Sequence, residues 1–460
     1  MSPGTDETSS LLSHPHITPL PKLQLATLFA IKTLIPLSAT QVMPYINEMV
    51  EKFGLSTGAD AGYYSGLVGS SFGIAQLLSM YYWGRLSDNI GRLPVILVGT
   101  LGVSITSTLF GLSRTFPMML LTRFLSGIFC GTTGAIHSVV GELSDETNAS
   151  TAFPLYDICS AIGFAVGPLI GGTFANPAEQ YPAWFDTPFF RAYPYILPCF
   201  ITALAAVVAS LLAVFILEET LPKKRKDNEN LPHEELTPPS VRTLLAIPVI
   251  RAICLSTGAL GFVAGSFNHV FVLMAYAPLV QGGLALSPSQ IGRAMFFMGT
   301  TSIFLKLCMP LLLRRFDHLR VFAACTLVWP FTFALMPVLN AVARQSQSGL
   351  LWAGIRLVLV MSRVGTMVFS IVMILVRETA PGPASLGTTN GLTEFVQSAF
   401  GSLSGVVISS LFAVSASKHL LGGQLWVVFS IVVALLASGF AERIRKHRNA
   451  PGAGARVHLE

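Results

Sequence analysis

Long apolar stretches and short polar breaks alternate along this chain. The spacing is that of a bilayer, since about 20 apolar residues make a helix that crosses the hydrocarbon core. Twelve stretches qualify, at residues 24–46, 61–83, 94–113, 116–140, 151–174, 192–217, 248–277, 289–313, 319–342, 350–375, 388–413 and 422–441. Helices are expected in all of them, because a backbone in lipid must satisfy its own hydrogen bonds. The longest internal polar break, "EETLPKKRKDNENLPHEELTPPS" at 218–240, leaves six stretches on either side. The expected fold is therefore an all-α membrane protein with 12 transmembrane helices in two six-helix bundles. Residues 23–217 would form the first bundle and 245–441 the second, with a cytoplasmic linker at 218–244 and cytoplasmic tails at 1–22 and 442–460. Repeated six-helix halves are the layout of carriers that bind substrate near the membrane midplane, between the halves.

Composition agrees. Of the 460 residues, 52% are hydrophobic and 11% charged, whereas soluble domains carry roughly 25% charged residues. Residues 1–21 are polar, include Pro3, Pro15, Pro19 and Pro21, and lack the apolar core of a cleavable signal. The six cysteines all lie in apolar runs without a CxxC and read as small buried hydrophobes, with neither a disulfide framework nor a metal site. No cofactor is expected.

The net charge of +6 fits cytoplasmic loops and gives no reason to invoke nucleic acid. With both termini cytoplasmic, about 17 of the 29 lysines and arginines fall in cytoplasmic segments, about 5 in outer loops and about 7 within spans. Lys223 to Lys226 and the group Arg443, Arg445, Lys446 and Arg448 dominate that bias. The sequon Asn148-Ala149-Ser150 then faces the cytoplasm and should stay unglycosylated.

"YYWGRLSDNIGRLPVILVG", residues 81–99, places charge between two apolar runs. Gly84 and Gly91 would permit a tight turn there. Asp88 could accept from a helix end, and Arg92 offers a forked donor to carboxylates. Gly84-x-Leu86-Ser87-Asp88-x-x-Gly91-Arg92 resembles the loop 2–3 signature of the major facilitator superfamily, with Asn89 and Leu93 replacing basic residues. The resemblance implies a cytoplasmic latch between the halves in the outward-facing state, to which Glu142 and Asp145 at the end of span 4 would contribute. "LLLRRFDHLR" at 311–320 reads as the decayed copy in the second half.

Two more motifs carry the resemblance. "RFLSGIFCGTTGA" sets Arg123 inside span 4, and "GFAVGPLIGG" gives Gly163, Gly167, Pro168, Gly171 and Gly172 in span 5. Glycines four apart make a groove for a neighbouring helix, and Pro168 would add a kink. Within the superfamily, GxxxGPxxGG is similar to the antiporter motif. "QVMPYINEM", "NPAEQYP", "YPYILPCF" and "GTTNGL" resemble fungal members of the twelve-span drug:proton antiporter group, in its tetracycline-resistance-like and zinc-induced-facilitator-like branches. Ser398-Ala399-Phe400-Gly401 departs from the arginine expected in span 11.

Ionisable groups within spans are expensive and are functional candidates by default. Lys32 and Asp157 each sit roughly 10–12 Å from the cytoplasmic end of their spans. They are expected to face each other, either as a coupling pair or as a fixed structural one. Lys306 and Glu394 form a second candidate pair. Arg123, His137, Asn268, His269 and Arg363 are candidates for the substrate cavity, and the histidines read equally as hydrogen-bonded structure. "ETSSLL" at 7–12 resembles an acidic dileucine sorting signal, so the vacuolar membrane competes with the plasma membrane as the address.

The resulting expectation is a monomeric, proton-coupled exporter of small organic molecules that works by alternating access in the lipid bilayer. A nutrient or metal-chelate facilitator or symporter is the alternative transporter. A transporter-like sensor would carry a large extra domain, which the short linker and tails do not supply. An enzyme is not expected, since HExxH and P-loop patterns are lacking and the charges within spans are scattered, not gathered into an acid–base or nucleophile constellation.

Overall fold

The computed structural model describes residues 21–55, 60–144, 149–220, 241–345, 347–379 and 383–448. All regular structure among them is helical. The first half of the chain contributes α1 (Lys22–Thr40), α2 (Ile46–Lys52), α3 (Ala61–Ile90), α4 (Arg92–Gly111), α5 (Phe116–Cys130), α6 (Thr133–Glu142), α7 (Ala149–Phe174) and α11 (Ile196–Ile216). Three short helices, α8 (Pro177–Gln180), α9 (Pro182–Phe185) and α10 (Pro188–Ala192), precede α11. The second half contributes α12 (Val241–Ala246), α13 (Pro248–Tyr276), α14 (Pro288–Arg315), α15 (His318–Arg344), α16 (Ser348–Thr366), α17 (Val368–Thr379), α18 (Pro383–Ser417) and α19 (Leu425–Arg448). Among the described residues ten helical stretches, α5 with α6 and α16 with α17 each counted as one, are long and apolar enough to cross a membrane. At 30 and 24 residues, α3 and α19 also have the length, with more polar ends.

Two details differ from the apolar pattern. The first span stops at Thr40 and is followed by a turn at 41–45, where the hydropathy continues to 46. The turn expected at 84–92 shrinks to Gly91, because α3 runs unbroken to Ile90. Gly84 lies inside that helix, and a Cβ there would meet nothing within 4 Å, so it makes no turn. Gly91 does, at φ 114°.

Spans 4 and 10 are each interrupted. At Gly131–Thr132 the amides bond three residues back, to Ile128 and Phe129 at 3.1 and 3.4 Å. Met367 and Ser370 do the same, to Val364 and Met367, both at 3.1 Å. These are local 3₁₀ tightenings. They fall in corresponding spans of the two halves, and paired interruptions of this kind point to a midplane binding site.

Within the first half, α1 packs on α7 and α11, α3 on α5, and α4 on α11; within the second, α13 packs on α18 and α19, and α15 on α16 and α19. The second half is organised around stacked rings: Phe267 lies 5.8 Å from both Phe271 and Trp329, centroid to centroid. Buried hydroxyls return to the helix, as Thr40 does to the Pro36 carbonyl and Thr326 to that of Phe322, both at 2.7 Å. That satisfies them where water is absent. Large apolar side chains such as Phe215, 83% exposed, and Phe304, 65% exposed, point outward, as a lipid-facing surface requires.

The halves meet along two glycine-lined seams, α3 with α18 and α7 with α14. A Cβ on Gly66 would stand 2.7 Å from the Gly405 carbonyl oxygen, and one on Gly292 2.5 Å from that of Pro168. The Val406 amide also donates to Ser70 Oγ at 3.0 Å. The close approaches run over residues 62–73 and 402–409 in one seam, and 165–172 and 288–299 in the other. Both stretches lie toward the ends of these helices nearest Tyr276 and away from Arg92.

Candidate functional site

On the Arg92 side, Arg92 is buried and is the hub of a charged cluster. Its Nε and Nη2 donate to Glu142 Oε1 at 3.1 and 2.9 Å, and Nη1 donates to Ser87 Oγ and Asp88 Oδ1, both at 2.6 Å. The Glu219 carboxylate accepts the first amides of α4, from Arg92 at 2.8 Å and Leu93 at 3.0 Å. A carboxylate at a helix N-terminus satisfies otherwise orphaned N–H groups and meets the positive end of the dipole. Thr220 closes the ring by donating to Glu142 at 2.5 Å. These partners belong to the first half, and the cluster ties α3, α4, α6 and the end of α11 together. Asp145 lies outside the described residues. Glu219 and Thr220 are site members that the motif did not disclose.

At mid-depth the predicted charges gather, though not as two ion pairs. Lys32 and Asp157 are not within salt-bridge distance among the described residues. The Lys32 ammonium instead rests 4.2 Å above the Tyr156 ring, which His137 meets edge-on at 5.4 Å. Lys32 nevertheless feels Glu394 most strongly, then Asp157, and also Lys306. Groups on α1, α7, α14 and α18 therefore face one space between the halves. Asp157 and Glu394 are exposed, and Lys32 and Lys306 partly so. Lys306 and Glu394 likewise form no ion pair among the described residues. Tyr156 is the member that counting charges missed.

Arg123 is only 5% exposed. It donates to the carbonyls of Ser38, at 3.4 Å, and Ala39, and lies 4.3 Å over the Phe72 ring. Those carbonyls are among the last of α1, where a cation complements the dipole. Arg123 thus lies closed in, away from the open cavity expected of it. With His269, Asn47 and Ser409 it lines a cavity of about 20 Å³, room for one water. Arg363 donates to Asn268 Oδ1 at 3.2 Å, which brings together two predicted cavity residues beside the break at Met367.

The glycine motif of α7 divides its contacts. Gly163, Gly167 and Gly171 press on α1 at Thr33, Leu37 and Gln41, two four-residue ladders in register, while Gly172 faces Pro288 and Gly292 of α14. The helix continues through Pro168.

On the Tyr276 side, "QVMPYINEM" and "NPAEQYP" build a polar network. Glu48 accepts from Lys52 at 3.1 Å, from Tyr195 at 3.2 Å and from Asn176. Lys52 also donates to Asn176 at 2.7 Å. This network also reaches the second half, where the Tyr276 hydroxyl donates to Glu51 Oε2 at 2.6 Å.

A polytopic all-α protein whose halves meet along glycine-lined seams, with interrupted helices and ionisable groups within its spans, is shaped as a carrier. The profile described as Major Facilitator Superfamily matches residues 28–406, and the chain belongs to that family. It is an integral, multi-pass membrane protein and a secondary transporter of small molecules, not an enzyme. The chain is 38% identical over 471 residues to Major facilitator-type transporter psiT2 of Psilocybe cyanescens, covering 91% of this chain and 89% of that protein. It is 27% identical over 418 residues to Efflux pump azaK of Aspergillus niger, covering 90% and 86%. Its fold superposes with TM-score 0.69, at 16% identity and over 95% and 98% of the two chains, on a bacterial homologue of the human lysosomal transporter Spinster, crystallised inward-facing and unoccupied.

Proposed function

We propose that this protein is a proton-coupled antiporter that exports small organic molecules by alternating access, a twelve-span fungal carrier of the drug:proton type. The two halves act as two bundles that rock about the glycine seams. The excess of lysine and arginine assigns the Arg92 side to the cytoplasm, and the arrangement described above is then inward-open. One observation carries the reading: Asp157 and Glu394 are exposed carboxylates within spans whose charges act on Lys32, and neither has an ion-pair partner among the described residues. A proton and a cationic group can therefore compete for the same carboxylate, which is what exchange requires.

The GxxxGPxxGG match and the likeness to an efflux pump support export over uptake. The Arg92 cluster keeps the latch assembled on the first half, ready to meet the second when the cytoplasmic side closes. Flux in proteoliposomes with an imposed pH gradient tests this. Asp157→Asn should lose gradient-driven export and retain substrate counterflow. Undiminished coupled export by that variant would remove Asp157 from the coupling role.

A further inference from the structure

The four mid-membrane charges are balanced within each half. The first half presents Lys32 and Asp157, and the second presents Lys306 and Glu394. Lys32 and Asp157 lie on α1 and α7, which pack together, Lys306 lies on α14, which packs on α7, and Glu394 lies on α18; the charges of the other three all act on Lys32. None reaches an opposite charge closely enough for an ion pair among the described residues. Each wall therefore offers a cation and a carboxylate to whatever lies between them. Lys32 and His137 both rest on the buried Tyr156 ring. Its hydroxyl has no hydrogen-bond partner among the described residues, and the charges of Asp157 and Glu394 act on it. An unsatisfied buried hydroxyl is rare, and here it belongs to the wall that the charges surround.

A ligand with a single positive charge would suit both carboxylates and oppose both lysines; an anion would do the reverse. A ligand carrying both signs meets all four groups with the correct polarity. We infer that the substrate class is the zwitterion: a small organic molecule bearing a protonated amine and an anionic group on an apolar or aromatic frame. The amine would lie toward Asp157 and Glu394, and the anionic group toward Lys32 and Lys306. This rests on the exporter reading above and narrows it.

The test is equilibrium binding to the full-length protein in nanodiscs at equal pH on both faces, by titration calorimetry. The probes form two charge series on constant frames: phenethylamine, 3-phenylpropionate and phenylalanine; and tryptamine, indole-3-propionate and tryptophan. In at least one series the zwitterion should bind about tenfold or more tighter than either singly charged analogue, as one extra charge-assisted contact implies. Lys306→Gln should weaken the zwitterion and the anion by about tenfold and leave the amine equal or tighter; Glu394→Gln should do the converse. A merely structural lysine would weaken all three alike. Equal affinity across the charge types, a uniform loss in both variants, or no binding by the zwitterions would overturn the inference. With no gradient applied, the result is independent of proton coupling. A zwitterion preference in a protein that fails gradient-driven export would sink the antiporter reading and leave the substrate class standing.

Discussion

Tyr276→Phe deletes the hydroxyl that joins the two halves through Glu51 and changes almost nothing else about the side chain. The bond is short, 2.6 Å, and reaches a carboxylate. Hydrogen bonds to charged groups contribute about 1.5–3 kcal/mol. This one is only partly buried, so water recovers part of the loss and about 1.5 kcal/mol is the expected cost to the closed Tyr276 side. That is about a tenfold shift in the open-to-closed ratio. The glycine seams carry the rest of the closure and are untouched. Spin labels at Leu55 and Val280, on exposed positions of opposite halves, report the separation by electron–electron resonance in nanodiscs. The variant should gain a longer-distance population about tenfold over the parent. Tyr45→Phe is the control, because the Tyr45 hydroxyl meets Cys199 of its own half at 3.4 Å. An unchanged distance distribution in Tyr276→Phe, or an equal shift in Tyr45→Phe, would refute the assignment of this bond to closure.

Two further outcomes follow from local geometry. Gly91→Ala should destabilise by about 1–3 kcal/mol, as a residue with a Cβ does in a glycine-only backbone region, since φ is 114° and the added carbon would stand 2.5 Å from Glu219. Gly84→Ala, in open space within a helix, should instead stabilise by roughly 0.5–1 kcal/mol; thermal unfolding in detergent compares the two. In the loop before α11, Arg191 donates to Asp186 at 2.6 and 2.8 Å and holds that carboxyl below its ordinary 3.8. A lowered folded value means that the pairing is fully present above about pH 3.8 and is lost only as pH falls through the folded value. Asp186→Asn should therefore leave the pH profile of export between pH 5 and 8 unchanged, and a shifted profile in that range would contradict the assignment.

The spans were legible because one property, 20 or so apolar residues in a row, is both what a bilayer demands and what a sequence displays. Their ends were less so. Hydropathy runs through residues 41–46, yet α1 stops at Thr40, and that stop redefines Arg123. A charge inside a span is a candidate for a ligand when the neighbouring helices are continuous; beside a helix end it has carbonyls to serve. The same logic separates the rest of the site. Arg92 with Glu142 was readable because the motif holds both signs within 50 residues, and opposite signs at a loop and a helix end find each other. Glu219 lies 127 residues from the amide it caps, and nothing in its own neighbourhood marks it as a cap. Counting residues set Lys32 and Asp157 at one depth, but depth does not fix azimuth. Tyr156, one position before Asp157, points about 100° around the helix from it and so comes under the Lys32 ammonium. The ring occupies the place of the expected ion pair, and Asp157 is left without an ion-pair partner among the described residues.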